Sequence, residues 1–346
     1  MYKGFKIIIN TAAGRRRYMQ HIVPIILSCD IIDRYDIWVN TYNGADIAFF
    51  KKIAEEFPKV NLVWQPDRIV DGIKSINAFY RNCIDEDAIY FKIDDDLLWI
   101  EPGGIKKMVD FRIDHPEYFL VSPIVINNSL STYLLQMRGK IGLDKYYNSS
   151  ANHPILWESP EFAAQLHEWF IDNYLSTNKW SDLHCGSQPM GMNRFSINAV
   201  LWFGKDLNNI HGEILGDDEE FLSSKYPTII GKANCWNADV ISVHFAFYTQ
   251  RACLDSRNIL KRYSNILSNI ATNSDLRPIY DKVQTILKSI DTEAKKLEPI
   301  CHPYVKPIKK SASYPTLLRS TTHKFSQIIK SIHNKYCSPK TVKYIK

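Results

Sequence analysis

Short apolar runs alternate with amphipathic segments over the first hundred residues of the chain. Four of these runs predict buried strands, at residues 6–10, 35–41, 60–65 and 88–93. The segments between them repeat apolar side chains every three or four positions, as the buried face of a helix does. Strands that alternate with helices of this kind indicate a parallel sheet covered on both faces. The pattern therefore predicts an α/β fold with a doubly wound, mostly parallel sheet.

The pattern is looser beyond residue 100. Five further elements are predicted there, two helices and three strands, at residues 103–116, 216–226, 117–126, 195–204 and 239–247. Residues 129–195 show no clear period and are predicted to be irregular. From about residue 255 the chain is polar with a helical pattern, and prolines interrupt it near its end. The sequence thus predicts one large unit over residues 1–255 and a helical, basic extension over residues 256–346.

Charge is distributed unevenly along the chain. Residues 295–346 carry twelve Lys and Arg side chains and one acid, whereas the rest of the chain carries 31 basic and 36 acidic side chains. Six apolar residues of this tail form one face of a predicted amphipathic helix, namely Leu317, Leu318, Phe325, Ile328, Ile329 and Ile332. Such a tail can bind anionic lipid or nucleic acid, or be a solvated extension. Recognisable nucleic-acid-binding motifs are absent, so we do not expect nucleic acid as a partner.

The composition is that of a globular protein with a sizeable core. Hydrophobic residues make up 45% of the chain and charged residues 23%. No run reaches the ~18 apolar residues that a membrane-spanning helix needs. The seven cysteines are an odd number, are widely scattered and show no CxxC spacing, which favours reduced thiols. We therefore expect a cytoplasmic location, with peripheral association at the inner face of a membrane if the basic tail binds lipid.

Three consecutive aspartates, Asp94, Asp95 and Asp96, follow the apolar run AIYFKI. Adjacent carboxylates repel one another unless a cation or hydrogen-bond donors compensate them. In open α/β sheets, ligands bind beyond the carboxyl ends of the strands, which is where this cluster falls. Hard oxygen ligands suit Mg²⁺ or Mn²⁺, with a diphosphate to complete the coordination. An acidic turn or helix cap is the structural alternative, although the LLWI run that follows disfavours a fully solvated loop.

Two downstream features add to this cluster. The segment ILGDDEEF places Asp217 and Asp218 at a predicted helix start, where either aspartate can cap the helix or act as a general base. His244 lies near the end of the predicted strand DVISVHFAF. A histidine on an apolar strand is commonly a satisfied core residue, but beside an acidic cluster its imidazole can also bind a metal.

Taken together and in this order, these segments resemble the GT-A fold of nucleotide-sugar-dependent glycosyltransferases, of the DxD-containing bacterial or viral type. The matching parts are the three aspartates, the WFGKD loop around Gly204, the GDDE segment, and His244 within HFAFYTQR. The similarity extends over about residues 5–255. The resemblance implies a nucleotide-binding half over residues 1–100 and an acceptor half over residues 101–255.

The resemblance also implies residue roles. Asp96 and His244 would bind Mn²⁺ or Mg²⁺, Asp94 would be a further metal contact, and Asp218 would be the catalytic base of an inverting enzyme. Contacts with the nucleotide sugar are implied for Thr11, Ala12, Arg17, Asp67, Lys74, Asn77, Asp94, Asp95 and Gly204. In the acceptor half, Trp157 and Trp180 are candidate stacking platforms, and both fit ordinary packing positions equally well.

The implied function is transfer of a sugar from a nucleoside-diphosphate sugar to a hydroxyl group, in glycan or surface polysaccharide synthesis. The acceptor would be a glycan, a lipid-linked molecule or a protein. Another metal-dependent nucleotide enzyme, such as a nucleotidyltransferase or phosphohydrolase, would use the same aspartates without a base near residue 218. A non-catalytic carbohydrate-binding protein is the third alternative, and it would need neither a metal nor a base.

Overall fold

A computed structural model describes residues 1–65, 68–297, 300–303 and 342–346. The strands in these ranges are β1 (Lys6–Ala13), β2 (Arg34–Val39), β3 (Val60–Val63), β4 (Ile69–Val70), β5 (Ala88–Ile93), β6 (Leu97–Ile100), β7 (Val121–Ile126), β8 (Ser187–Gly191), β9 (Ala199–Phe203), β10 (Asn234–His244) and β11 (His302–Pro303). The α-helices are α1 (Arg16–Ser28), α2 (Gly44–Glu56), α3 (Gly72–Phe79), α4 (Gly104–Asp114), α5 (Ser129–Met137), α6 (Pro160–Phe170), α7 (Gly204–Asn208), α8 (Asp218–Glu220), α9 (Tyr226–Ile230), α10 (Arg251–Ser256), α11 (Ile259–Thr272) and α12 (Arg277–Glu293). Short π-helical turns follow α6 and α8, at Ile171–Leu175 and Phe221–Lys225.

Nine strands form one open sheet in the order β3-β2-β1-β5-β9-β7-β10-β6, with β8 also paired to β10. Strands β1, β2, β3, β5, β7 and β10 run in one direction, and β6, β8 and β9 run in the other. The prediction of an α/β fold with a mostly parallel sheet is confirmed. The strand predicted at 195–204 is present as β9, but it runs antiparallel between β5 and β7.

Helices cover both faces of the sheet, as predicted. Ile7 and Ile9 of β1 face one apolar cluster and Ile8 faces the other, because successive strand residues point to opposite sides. The helices predicted as part of an extension join these same clusters. Tyr263 of α11 is buried in one and Val283 of α12 in the other. The C-terminal helices therefore complete the two layers that enclose the sheet.

Side-chain caps mark several of the helix starts. The Asn43 side chain accepts hydrogen bonds from the amides of Ala45 and Asp46 at 3.0 and 3.1 Å, and so begins α2. Ser159 caps α6, whose first residue is a proline. Asp217 caps α8 by accepting from the Glu220 amide at 3.0 Å. Capping by a side-chain oxygen satisfies amides that have no partner inside the helix.

The expectation of an irregular segment over residues 129–195 was wrong. This segment contains α5, α6, a π-helical turn and β8. Helix α6 is ordered by burial, since Phe162, Leu166 and Phe170 are fully buried in the core. Strand β6 was not predicted either, although its LLWI run consists of four buried apolar residues. Helix α6 and strand β6 are stabilised by contacts with distant parts of the chain. The local spacing of apolar residues does not reveal such contacts.

The described part of the C-terminal tail is short. Residues 342–346 return to the body, where the Lys346 amide donates to the Gly142 carbonyl at 2.9 Å. The predicted amphipathic helix around residues 317–332 lies outside the described residues. Within the described ranges, no helix is both long and apolar enough to span a membrane.

Candidate active site at the end of strand β5

The three aspartates form the tight connection between β5 and β6. The Leu97 amide donates to the Asp94 carbonyl at 3.0 Å, which turns the chain back on itself. Strand β6 then pairs antiparallel with β10, with Leu97 opposite His244. In the same register, the Phe245 amide donates to the Asp96 carbonyl at 2.8 Å. This pairing brings Asp96 and His244 together although they are far apart in the sequence.

His244 faces Asp96 across a short gap. Its Nε2 lies 3.4 Å from Asp96 Oδ1, and its Nδ1 lies 3.2 Å from the Asn127 carbonyl oxygen. A carbonyl accepts only, so Nδ1 carries a proton, and in the neutral ring the lone pair of Nε2 points at the carboxylate. Two acceptors that face each other need a proton or a cation between them. A backbone carbonyl on the second ring nitrogen is also the usual arrangement of a metal-binding histidine.

Arg15 holds the other side of the aspartate loop. Its Nε lies 3.0 Å from both carboxylate oxygens of Asp95, and its Nη1 lies 2.9 Å from Asp96 Oδ2. The Gly14 amide also donates to Asp95 at 2.8 Å, so Asp95 is turned towards the loop after β1. Burial by itself would raise the pKa of Asp96, but a protonated His244 ring and the Arg15 guanidinium outweigh burial and hold that pKa below its usual value. Asp96 is therefore ionised at neutral pH.

Lys92 links the aspartate loop to Asp218. Its ammonium group pairs with the Asp94 carboxylate and donates to the Ile197 carbonyl at 3.0 Å. Burial would lower the pKa of Lys92, but the field of Asp94 and Asp218 raises it above its usual value. The Asn198 side chain also donates to Asp94 at 3.2 Å. Asp94, Lys92 and Asp218 thus form one charged group at the carboxyl edge of β5.

Asp218 is held by a hydroxyl group from a buried tyrosine. The Tyr80 hydroxyl donates to Asp218 Oδ2 at 3.0 Å. Burial raises the pKa of Asp218 and the Asp94 charge adds to this, whereas Lys92 and the Tyr80 hydrogen bond act to lower it; the net change is upward. Because the capping role belongs to Asp217, Asp218 is available for other chemistry. A carboxylate with a raised pKa is a better proton acceptor than an ordinary surface aspartate.

A cleft of about 370 Å³ opens beside these residues. It is lined by Ala12, Gly14, Arg15, Asn40, Thr41, Ile76, Lys92, Asp94 and Asp95. The lining comes from the carboxyl ends of three parallel strands and from α3. In open α/β sheets this edge is where ligands bind.

The residues with implied nucleotide-sugar contacts are dispersed around this cleft. Ala12, Asp94 and Asp95 line it. Thr11 is fully buried and accepts a hydrogen bond from the Tyr35 hydroxyl at 3.1 Å. Arg17 pairs with Asp255, and its guanidinium carbon lies 4.6 Å from the centre of the Tyr18 ring. Arg17 therefore joins α1 to α10.

The remaining implied contacts lie further along the chain. Lys74 is exposed and lies 3.3 Å from Asp71. The Asn77 side chain donates to the carbonyls of Gly216 and Ile214 at 2.8 and 3.2 Å, which fixes the loop that leads to Asp218. Asp67 lies outside the described residues. Asn77 thus helps to position Asp218, the candidate base, by binding the backbone of the loop that precedes it.

The structure does not bring Gly204 to the aspartate loop. Strand β9 runs antiparallel to β5, with Phe203 opposite Ile89 and Ala199 opposite Ile93. Gly204 therefore lies at the amino end of β5, about a strand length of 17–20 Å from the site. A Cβ atom on Gly204 would lie 2.1 Å from the Asp85 carbonyl oxygen. The glycine serves close packing there.

We expect Gly204→Ala to destabilise the fold by at least ~2 kcal/mol, because the added methyl group meets rigid backbone. The measurement is the free energy of unfolding from urea denaturation. Gly142→Ala is the matched control, since its Cβ would meet only the Lys346 side chain at an ordinary 3.6 Å. An unchanged unfolding midpoint for Gly204→Ala would contradict this packing role.

Four residues that the sequence did not single out belong to the site, namely Arg15, Tyr80, Lys92 and Asn198. Lys92 left a detectable signal, because it is the one charged residue in the apolar run AIYFKI. Arg15 follows the first strand directly, where parallel strands present ligand contacts. Tyr80 and Asn198 left no local signal, because only tertiary packing places them beside Asp218 and Asp94.

Removing the Tyr80 hydroxyl should shift the pH dependence of any reaction in which Asp218 acts as the base. Its hydrogen bond favours the ionised form of Asp218, so Tyr80→Phe should raise the pKa of Asp218 further. We expect the acid limb of kcat/KM to shift to higher pH by about one pH unit. Tyr90→Phe is the control, because that hydroxyl contacts Asn82 and Asp85 instead. A shift to lower pH, or the same shift in both variants, would exclude this role.

The side chains available as metal ligands decide whether a metal ion fits this site. Among the residues that the structure describes, no three His, Cys, Asp or Glu side chains form a ready-made cage. Mg²⁺ commonly takes only one or two protein carboxylates and completes its shell with water and substrate phosphates. Asp96 and His244, both buried and 3.4 Å apart, fit this open arrangement. Asp96 Oδ2 is already paired with Arg15, so Oδ1, which faces His244, is the oxygen that would bind an ion. Both oxygens of Asp94, implied as a further metal contact, are bound by Lys92 and Asn198.

Comparisons with known proteins add distant similarities in fold. No protein-family model matches the chain, and no curated protein matches it. A mycobacterial protein is 12% identical with a TM-score of 0.41, over 77% of this chain and 76% of the other. The CMP:2-keto-3-deoxy-manno-octonic acid synthetase complexed with CTP is 11% identical with a TM-score of 0.40, over 76% of this chain and 100% of its own.

A third solved structure is the 4-diphosphocytidyl-2C-methyl-D-erythritol synthase of Anaerococcus prevotii. It is 10% identical with a TM-score of 0.38, over 76% of this chain and 96% of its own. Similarity at this level carries no information on the chemistry of this chain. This chain is an α/β protein with an open, mostly parallel sheet and an acidic cluster at the carboxyl edge of that sheet.

Proposed function

We propose that this protein is a metal-dependent glycosyltransferase that uses a nucleoside-diphosphate sugar. One observation carries the proposal, namely that Asp96, His244 and Asp218 lie around one charged group although they come from three distant parts of the chain. His244 lies 3.4 Å from Asp96, and the charges of Asp94, Asp218 and Asp96 all act to raise the pKa of the buried Lys92. A transferase needs these two functions together, a site for the leaving group and a base for the acceptor.

The cleft beside β1 suits the donor. Its lining includes Arg15 and Lys92, two cations that can face phosphate oxygens, and the Gly14 backbone. Thr41 and Asn40, at the end of β2, provide polar contacts for the ribose or base. Arg15 and Lys92 are already paired with aspartates, so a diphosphate would bind only where a metal ion compensates the added negative charge.

Asp96 and His244 would hold the divalent ion, Mn²⁺ or Mg²⁺. When bound, such an ion neutralises the charge that develops on the departing nucleoside diphosphate. Asn127 orients the imidazole through its backbone carbonyl, and the antiparallel pairing of β6 with β10 sets the spacing of the two ligands. Rigid strands are well suited to hold such ligands in place.

Asp218 would act as the base of an inverting reaction. The acceptor oxygen forms a bond to the anomeric carbon while the bond from that carbon to the diphosphate oxygen breaks. The hydroxyl proton passes to Asp218, whose other oxygen keeps the hydrogen bond from Tyr80. The charged Lys92 nearby favours the ionised form of this base before the reaction.

A second cleft of about 260 Å³ is a candidate for the acceptor. Its lining is mostly polar and consists of Leu130, Ser149, Ser150, Ala151, Asn152, Asn193 and Arg194. Arg194 is bound by Glu219 at 3.0 Å and by Asp217 at 3.4 Å, so this cleft adjoins the segment that carries Asp218. Hydroxyl and amide groups suit a sugar hydroxyl, whether the acceptor is a glycan, a lipid-linked molecule or a protein.

The two candidate tryptophans differ in their surroundings. Trp157 is half-buried, and its ring centre lies 5.3 Å from that of Phe247, which itself lies 4.5 Å from His244. Trp180 packs edge-on against the buried Trp99 at 5.2 Å. Trp157 is therefore the better candidate for contact with a sugar.

Nucleotidyl transfer is the second candidate function. An enzyme that joins a nucleotide to a phosphorylated or acidic substrate would use the same aspartates. It is favoured by Arg15 and Lys92, because two cations beside the aspartates also suit the longer phosphate chain of a nucleoside triphosphate. Nucleotidyl transfer does not explain why Asp218 lies beside this site, since that reaction requires no base for an acceptor hydroxyl.

The two functions release different products. The protein should be incubated with UDP- and GDP-sugars, and separately with nucleoside triphosphates, with Mn²⁺ or with chelator. Metal-dependent release of nucleoside diphosphate from a nucleotide sugar is the expected result. Release of pyrophosphate from a triphosphate would establish nucleotidyl transfer instead, and release of monophosphate from the sugar nucleotides would indicate a phosphohydrolase.

A further inference from the structure

Asn127, whose carbonyl accepts a hydrogen bond from the His244 ring, has an unusual backbone conformation. It follows β7, and Ile126 at the end of that strand pairs with Val243 of β10. The φ angle of Asn127 is 65°, in the left-handed region that residues other than glycine seldom adopt. Asparagine tolerates this region better than most residues, but such a conformation persists only where the surroundings hold it. The direction of the Asn127 carbonyl therefore depends on the contacts that hold this residue.

The Asn127 side chain is held from two sides, and both of its contacts are buried. Its Nδ2 donates to the Phe245 carbonyl and to Gln250 Oε1, each at 2.9 Å. Because a carbonyl can only accept, the nitrogen of the Asn127 amide, and not its oxygen, faces Phe245. Phe245 follows His244 directly, so the first of these bonds ties Asn127 to the end of β10 that carries the imidazole.

Gln250, the second partner of Asn127, is itself fully buried and hydrogen-bonded at both ends. Its Oε1 also accepts from the Phe247 amide at 3.1 Å, and its Nε2 donates to the Trp157 carbonyl at 2.6 Å. A backbone amide can only donate and a carbonyl can only accept, so one orientation of the Gln250 side chain satisfies every contact. Gln250 therefore presents an oxygen, and not a nitrogen, to the Asn127 amide.

We propose that Gln250 is a positioning residue for His244 and acts through Asn127. Gln250 holds the Asn127 side chain, the Asn127 carbonyl accepts from His244 Nδ1 at 3.2 Å, and the opposite ring nitrogen is thereby aimed at Asp96. In metal sites, such outer partners set the tautomer and the orientation of a histidine ligand. The consequence for metal binding rests on the proposed function, whereas the orientation of the ring rests on these hydrogen bonds alone.

The first test observes the His244 ring in the absence of a metal ion. Heteronuclear NMR of histidine-labelled protein measures the exchange of the Nδ1 proton with solvent, and His244→Gln assigns the signal. Gln250→Met keeps the length of the side chain but removes its hydrogen bonds. We expect the Nδ1 proton to exchange about tenfold faster in this variant, because the carbonyl that binds it is less firmly held.

Gln65→Met is the matched control for loss of a buried glutamine. Gln65 is also buried, and its Nε2 donates to the Ser75 carbonyl at 2.6 Å, but neither residue contacts the network around His244. The exchange of the His244 proton should therefore be unchanged in Gln65→Met. Equal exchange in wild-type protein and Gln250→Met, or equal acceleration in both glutamine variants, would overturn the proposal.

The second test measures the affinity for Mn²⁺ alone by isothermal titration calorimetry. Loss of an outer partner typically weakens metal binding by about 10–100-fold, and we expect a loss of this size in Gln250→Met. Asn127→Gly should cause a similar loss, because glycine adopts the left-handed backbone freely but lacks the side-chain bonds. In the double variant, Gln250→Met should have little further effect, since Gln250 acts through a bond that is already gone. Fully additive losses would contradict the proposal.

The two tests separate this inference from the proposed function. If the wild-type protein binds no Mn²⁺, the metal assignment fails and the proton exchange still decides whether Gln250 positions the ring. If Asp96→Asn abolishes Mn²⁺ binding but folded Gln250→Met binds the ion as the wild type does, the metal site stands and the role of Gln250 is excluded. Circular dichroism verifies that each variant is folded. Should Gln250→Met not fold, Gln250→Leu removes the same bonds, and unchanged proton exchange in that variant is equally decisive against the proposal.

Discussion

Asp96→Asn is expected to lower metal-dependent release of nucleoside diphosphate by at least ~10³-fold. The variant keeps the shape of the side chain but removes the charge that would bind the ion beside His244. A metal ion contributes several kcal/mol of transition-state stabilisation, and each 1.36 kcal/mol changes the rate about tenfold. The measurements are kcat with saturating donor and the Mn²⁺ concentration that gives half-maximal activity. Both should change, because the same carboxylate would bind the ion and stabilise the leaving group.

Asp95→Asn is the matched control for this variant. The two aspartates are adjacent and equally buried, but the Asp95 carboxylate is bound to Arg15 and to the Gly14 amide, whereas Asp96 lies 3.4 Å from His244. Its loss should appear as reduced stability of about 1–3 kcal/mol, with the Mn²⁺ dependence retained. If Asp95→Asn lost the metal dependence and Asp96→Asn kept it, the assignment of Asp96 and His244 as the ligands would be wrong.

Asp218→Asn should reduce kcat by about 10²–10⁴-fold, because a general base contributes a factor of that size. The affinity for the donor should stay within about threefold, since Asp218 does not line the donor cleft. The acid limb that Asp218 causes in the wild-type profile should also disappear. The measurements are kcat, the dissociation constant of the nucleotide sugar and the pH profile of the residual activity.

Asp217→Asn controls for effects on the local helix. Asparagine caps a helix about as well as aspartate, so Asp217→Asn should lose only the ion pair with Arg194, at a cost below about 1 kcal/mol, and leave kcat nearly intact. A large loss of kcat in Asp217→Asn, with little loss in Asp218→Asn, would move the base to the neighbouring residue. Loss of donor affinity in Asp218→Asn would instead identify Asp218 as a binding residue.

Much of the fold could be predicted from the sequence, because buried parallel strands and amphipathic helices leave strong local patterns. Strands β1, β2, β5 and β10 were predicted in this way. The direction of β9 and the pairing of β6 could not be predicted, because both depend on neighbours more than a hundred residues away. The antiparallel direction of β9 is also what separates Gly204 from the aspartate loop.

The sequence by itself determined the α/β class, the acidic cluster at the end of a buried strand, and the capped helix start that carries Asp218. These features are local, since each depends on side-chain period or on residues within a few positions. Only the tertiary structure decided which of three adjacent aspartates faces His244, which two of them pair with Arg15, and which of Asp217 and Asp218 is the cap. The physical reason is that charged side chains in a buried site are oriented by the partners that compensate them. Those partners, Arg15, Lys92, Tyr80 and Asn127, come from distant parts of the chain.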